Sequence, residues 1–186
     1  MGTAASAVAP NEARHKPMGV TVHFEGKLRD EAAFLRLVSR IEQVARQETL
    51  LTERFENQEM RLARVRQEKD WDYIGPTRGI ILYLHQDCEP VRLEFDRDLY
   101  IQEWVKTQFA GSHTHMRLVT LLRDLQPFFE DLKVSDEGEY WETGDESLLT
   151  GHIVKCHEVI AQIARENPRA QVKVREADGR LTDLIS

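Results

Sequence analysis

Hydrophobic residues recur along the chain with two different periods, and these periods divide it into strands and helices. Gly19-Val20-Thr21-Val22-His23-Phe24-Glu25 alternates, with Val20, Val22 and Phe24 on one side, which predicts a half-buried strand. Gly26 marks a turn and Asp30 is a good N-cap. Phe34, Leu37, Val38, Ile41, Val44 and Ala45 then follow three- and four-residue spacings, the pattern of an amphipathic helix over 30–47. Residues 48–77 mix Glu53, Arg54, Glu56, Glu59, Arg61, Arg64, Arg66, Glu68 and Lys69. Met60 and Leu62 there fit one side of an edge strand, a helix fits as well, and Gly75-Pro76 is expected to end the stretch.

The run Gly79-Ile80-Ile81-Leu82-Tyr83-Leu84 is apolar and branched, as in a buried central strand. Val91, Leu93 and Phe95 alternate after Pro90, Asp96-Arg97-Asp98 reads as a tight turn, and Leu99, Ile101 and Val105 continue with period two. Together these predict a meander of three antiparallel strands over 79–107. Ser112 is the expected cap of a second helix carrying Leu118, Val119, Leu121, Leu122 and Leu125. Pro127 should end it, with Phe128 and Phe129 in its last turn. Leu132 and Val134 predict a short strand, Asp136-Glu137-Gly138 a turn and Tyr140-Trp141 a second short strand. Thr143 and Glu146 have capping-box spacing ahead of a third helix that presents Leu149, Ile153, Cys156, Ile160, Ile163 and Ala164. Val172 and Val174 before Asp178-Gly179 give a weak hairpin signal.

The order strand, helix, meander, helix, two short strands, helix predicts an α+β fold: one antiparallel sheet with three main helices packed on one face. Residues 1–18, with Pro10 and Pro17, read as a flexible N-terminal arm, 19–165 as one domain and 166–186 as a weakly structured tail. The strands at 79–107 carry apolar side chains on both alternating sets, Tyr100 and Trp104 beside Leu99 and Ile101. The second face of the sheet is therefore expected to be covered, by 48–77 and the tail or by a second copy in a symmetric homodimer.

Composition narrows the function classes. The 186 residues hold 25 Lys and Arg against 32 Asp and Glu, a net charge of −7, which disfavours a nucleic-acid partner. No apolar run reaches the length of a membrane span, and the start of the chain lacks the pattern of a signal peptide, although Gly2 and Ser6 match a loose myristoylation pattern. Cys88 and Cys156 are isolated, as expected of reduced thiols in a cytoplasm. Cys88 sits between Asp87 and Glu89, which blunt its reactivity, and Cys156 falls on an apolar helix face.

The strand-helix-meander-helix order over 19–130 resembles one repeat of the TATA-binding-protein-like fold. The segments Gly79-Ile80-Ile81-Leu82-Tyr83, Glu89-Pro90-Val91-Arg92-Leu93-Glu94-Phe95-Asp96, Lys106-Thr107-Gln108-Phe109-Ala110 and Asp136-Glu137-Gly138-Glu139-Tyr140-Trp141-Glu142-Thr143-Gly144-Asp145 look like small uncharacterised bacterial proteins of that shape. The resemblance spans about 19–165 and implies a fold, with neither a catalytic residue nor binding to a TATA box.

Chemistry is concentrated at 136–146, where Asp136, Glu137, Glu139, Glu142, Asp145 and Glu146 put six carboxylates in eleven residues around Tyr140 and Trp141, with no Lys or Arg. Splaying into solvent is the plain expectation for such a cluster. Meeting a basic patch on a protein partner is the sharper one, and coordinating Mg²⁺ or Ca²⁺ a third. His113 and His115 are two apart at a helix start, and His152 and His157 five apart on a helix, so neither pair chelates well. His115 reads as a surface residue. Glu94, Asp96 and Asp98 read as a solvated strand face and turn, and Arg61, Arg64, Arg66, Lys69 and Arg78 as a solvated basic face. No nucleophile elbow or phosphate loop occurs. The leading expectation is a non-enzymatic protein-binding module of immunity or adaptor type, without cofactor, whose partner surface is Glu137, Glu139, Tyr140, Trp141, Glu142 and Asp145. The alternative is a metal-dependent hydrolase using the 136–146 carboxylates with His115.

Overall fold

The computed structural model describes residues 19–66, 69–167, 169, 171–177 and 179–185. The expected arm at 1–18 lies outside the described residues. Strand β1 (Thr21–Leu28) leads into helix α1 (Glu31–Glu48), and a long hairpin follows: β2 (Leu51–Leu62), a two-stranded tip of β3 (Val65–Arg66) and β4 (Lys69–Asp70), and β5 (Tyr73–Tyr83). Then come β6 (Val91–Phe95), β7 (Tyr100–Lys106), helix α2 (Gly111–Leu125), β8 (Phe129–Asp136), the short helix α3 (Tyr140–Thr143), helix α4 (Glu146–Glu166) and a final hairpin of β9 (Gln171–Arg175) and β10 (Leu181–Ile185). The fold is α+β and all its strand pairs are antiparallel.

Two three-stranded ladders, β2-β5-β6 and β7-β1-β8, carry the pairing. They adjoin between β6 and β7, where the Asp96 N–H donates to the Tyr100 carbonyl at 3.1 Å and the Glu89 N–H to the Lys106 carbonyl at 3.3 Å. The spatial order is therefore β2-β5-β6-β7-β1-β8. Along β1, Val22, Phe24 and Leu28 are buried and meet Leu93, Phe95, Ile101, Val105 and the apolar stripes of α1 and α2 in the main core. Helix α4 packs outside α2, with Val20, Leu149, Ile153, Cys156 and Ile160 in a second cluster. Gly79 is obligatory in the ladder: a Cβ there would lie 1.9 Å from the Leu93 carbonyl oxygen of the neighbouring strand.

Several local expectations are revised. Residues 51–62 are a strand, and Gly75-Pro76 lies inside β5 instead of ending the stretch. Proline has no ladder N–H to give. It is accommodated because the β2–β5 register shifts between Asn57 and Met60, which pair with Thr77 and Gly75, so Pro76 faces a bulge. Tyr140-Trp141 is helical, not a strand, because Asp136 gathers the Gly138 and Trp141 N–H groups onto its carboxylate and bends the chain. Phe129 opens β8 rather than closing α2, which ends at Leu125 ahead of Pro127. Asp30 caps α1 through the Ala33 N–H as expected, but α2 starts from Ala110 without Ser112 as its cap. The cap of α4 is Asp145 instead of Thr143.

Both hairpins reach the outward face of the β7-β1-β8 ladder. From the β2–β5 arm, Trp71 packs on Tyr100 with ring centroids 5.6 Å apart. From the C-terminal hairpin, Arg180 lies over Trp104 at 4.2 Å. The hairpin signal at Val172 and Val174 corresponds to β9, and Leu181 of β10 is buried against the body. Tyr100 thus packs under the arm, while Trp104 stays 40% exposed beneath Arg180.

Candidate functional site, a groove on the outward face of the sheet

The period of two sends His23, Glu25 and Lys27 of β1 outward. Antiparallel register then builds three cross-strand rows: Trp104–His23–Ser135, Gln102–Glu25–Lys133 and Tyr100–Lys27–Asp131. The arm roofs the first two rows with Arg61, Ala63, Arg64 and Asp72, bounding an open cavity of about 860 Å³. A second hollow of about 320 Å³ continues under Trp71 between Glu25, Lys27, Tyr100, Asp131 and Lys133. Glu25 stands between the two. It accepts from the Tyr100 hydroxyl at 3.0 Å and the Gln102 amide at 2.8 Å, and Lys133 lies 3.8 Å away.

The roof is held by one buried cation. The Arg64 side chain is 1% exposed, and its Nη1 donates to Asp96 Oδ2 at 2.7 Å. Nη2 donates to the Tyr100 carbonyl at 3.2 Å. The rings of Trp71, Tyr73 and Tyr100 lie 4.9 to 5.7 Å from its Cζ. Arg64 and Asp96 are thus buried, against the expectation of a solvated face and turn. Glu94 is buried too, accepting from the Thr77 hydroxyl at 2.5 Å. The groove's other charges are also matched: Arg61 pairs with Asp72, and Glu103 with Arg180. Burial pushes the Glu103 carboxyl above its usual range, and the Arg180 guanidinium opposes that rise.

The 136–146 segment is put to structural use. Asp136 accepts from His115 Nε2 at 2.9 Å, and His115 Nδ1 lies 2.7 Å from the Thr107 hydroxyl, with His115 fully buried and not at the surface. Burial works against the charge on Asp136, but hydrogen bonds from His115, Trp141 N–H and Gly138 N–H prevail and hold its carboxyl below the usual value. Glu137 accepts from the Thr21 N–H at 2.9 Å and faces His23. Tyr140 packs on the α4 cluster and Trp141 on the main core, under Arg123. Glu139 and Glu142 stay exposed. Asp145 accepts from the Ser147 and Leu148 N–H groups. Asp145→Ala is expected to cost about 1 kcal/mol, the worth of an N-cap, read as a lowered urea midpoint with an unchanged slope.

Among the described residues, no three His, Cys, Asp or Glu side chains gather as a metal-binding set. The hydrolase alternative has His115 beside one carboxylate of 136–146, Asp136, while Glu139 instead lies 3.8 Å from His152. Both cysteines are buried outside any disulfide, and burial raises the Cys88 thiol to about 12 and the Cys156 thiol to about 11, so both stay protonated at neutral pH. No helix among the described residues is long and apolar enough to cross a membrane. Compared with known protein families, curated proteins and solved structures, the chain matches none.

The sequence signal for the groove is the outward alternation of β1 and β7. Arg64, Glu103 and Lys133 carry none, because their partners come from distant parts of the chain.

Proposed function

We propose that the protein is a non-enzymatic binding module and that its ligand lies in the groove between the β2–β5 arm and the outward face of β7-β1-β8. The observation that carries this is the 860 Å³ cavity, floored by two aligned rows of side chains and roofed by a latched hairpin. A cavity of that size suits a drug-sized organic molecule, and a few placed polar groups around an aromatic wall are what orient one. Trp104 supplies the aromatic wall; Gln102, Ser135 and the paired charges supply the polar groups. Asp136 and Glu137 serve the fold and are less available to a protein partner, while Glu139, Glu142, Asp145 and Glu146 stay exposed. Two buried thiols outside any disulfide support a reducing, cytoplasmic setting. The order β2-β5-β6-β7-β1, with helices after β1 and β7, supports the TATA-binding-protein-like reading of the fold.

Titration with an anilinonaphthalene sulfonate dye tests the proposal. Ser135→Trp, which fills the cavity from its floor, is expected to abolish dye binding. Trp104→Ala is expected to weaken it about tenfold, the worth of one large aromatic contact. The double variant Glu139→Lys, Glu142→Lys should bind as the parent does. Dye affinity unchanged by Ser135→Trp would rule the groove out. Loss in the double-lysine variant would return the site to 136–146.

A further inference from the structure

At the Trp104 end of the groove, a side chain of the protein itself is held as a ligand would be. The Arg180 guanidinium stacks on the Trp104 ring at 4.2 Å. Its Nη1 donates to the Trp104 carbonyl at 2.6 Å, and its Nη2 to the Glu103 carboxylate at 2.5 Å. Glu89, 2% exposed, lies 3.7 Å from the same guanidinium. A flat aromatic face with a carboxylate and a carbonyl beside it together suit a planar, delocalised cation and suit an ammonium less well. Glu103 and Trp104 are also walls of the 860 Å³ cavity, so two residues serve both Arg180 and the ligand space.

We propose that Trp104 and Glu103 form a planar-cation subsite of the groove, that Arg180 occupies it in cis, and that the groove's ligand carries an amidinium or guanidinium group which displaces Arg180. The proposal rests on the groove being the binding site, and adds the ligand's chemical class and a plug.

Charge selects the displacing group. Glu103 and Glu89 are carboxylates with little exposure beside Arg180, and a group that takes its place meets both of them. A planar cation in its place restores both the pairing and the ring contact, which a neutral or anionic head does not.

The plug is built to be released. Much of the hairpin's attachment is polar. The Leu181 N–H donates to Glu89 at 2.7 Å, Lys106 Nζ donates to the Leu181 carbonyl at 2.9 Å, and Gln108 donates to Asp183 at 2.7 Å. Arg175 reaches the Gln86 carbonyl at 2.6 Å. Leu181 adds a buried hydrophobic side chain to these polar contacts. Water can take over most of those polar contacts when the hairpin lifts, so the cost of release is small beside that of a fully apolar dock.

Calorimetric titration compares benzamidine with its neutral isostere benzamide. Arg180→Ala is expected to bind benzamidine about tenfold tighter than the parent, since competition from the plug is gone, and to ignore benzamide. Adding Glu103→Gln to that variant is expected to reverse the gain. Equal affinity for the parent and Arg180→Ala, or equal binding of benzamide, overturns the planar-cation subsite. If Arg180→Ala does not fold, Arg180→Lys, which keeps the charge without the fork, takes its place with the same expected direction. Hydrogen exchange on the parent protein reads displacement itself: with saturating benzamidine the amides of Leu181–Ile185 are expected to exchange faster. Binding to the variant with no change in exchange in the parent would show only the filling of a vacated arginine position, and overturns the plug. Dye binding that is lost in Ser135→Trp while benzamidine fails would leave the groove standing and remove the subsite alone; benzamidine binding without dye binding would do the reverse.

Discussion

Arg64→Ala is expected to cost about 3–5 kcal/mol, the penalty for removing one member of a buried ion pair. In a chain of this size that lowers the thermal midpoint by about 10 °C. Two effects add. Asp96, 4% exposed, loses the cation at 2.7 Å, and the rings of Trp71, Tyr73 and Tyr100 lose the guanidinium between them. The arm that carries Arg64 then has less to hold it over the sheet, so dye binding in the groove should weaken in the same variant. Arg64→Lys keeps the charge but cannot span Asp96 and the Tyr100 carbonyl at once, and should recover less than half of the loss. Asp96→Ala is expected to be worse than Arg64→Ala, because Asp96 Oδ1 also accepts from the Asp98 and Tyr100 N–H groups at 2.8 and 2.9 Å and so ties the β6–β7 turn. Thermal scans of the three variants check this order. A midpoint for Arg64→Ala within about 2 °C of the parent would mean that the arm contributes little to the folded state.

That one arginine matters so much was not legible in its sequence context. Arg61, Arg64 and Arg66 look alike there, and the features that single out Arg64 arrive from Asp96 and Tyr100, more than thirty residues away. The helices α1 and α4 were legible because a stripe of apolar residues at three- and four-residue spacing needs no distant partner to be recognised. β2 was not, since both of its faces are largely exposed and its alternating charges fit helix and strand equally. The outward face of β7 was half legible: Tyr100 and Trp104 announced a covered surface, but only the register with β1 and β8 shows that they share a groove with Glu25, Lys133 and Ser135. The 136–146 segment was legible in part. Its composition suggested carboxylates in solvent, and Glu139, Glu142, Asp145 and Glu146 are exposed, but Asp136 is turned inward by His115, a residue twenty-one positions earlier, and Glu137 accepts from a backbone N–H.

Asp136→Asn is expected to cost about 3 kcal/mol at neutral pH and progressively less in acid. The Asp136 carboxylate accepts from His115 and the Trp141 N–H on one oxygen and from the Gly138 N–H on the other, with its side chain fully covered. An amide turns one of those acceptors into a donor, so at least one N–H meets another. The bend it holds also keeps Glu139 at φ 58, a left-handed conformation that a residue with a Cβ adopts at a cost of about 1 kcal/mol. Because the folded carboxyl titrates below its unfolded value of about 3.9, the unfolded chain takes up the proton first as pH falls. The stabilisation from the charge is therefore complete above about pH 5 and lost as pH drops through the lower, folded value. The gap between parent and variant should be widest near pH 7 and narrow steadily below pH 4, as read from urea midpoints across that range. Glu137 is lowered as well, despite its burial, by hydrogen bonds from His23 and Thr21, so the parent keeps some acid lability that Glu137→Gln would remove separately. A gap that stays constant from pH 7 to pH 3 would mean that the carboxylate's charge adds nothing to the bend, and that shape alone explains the loss.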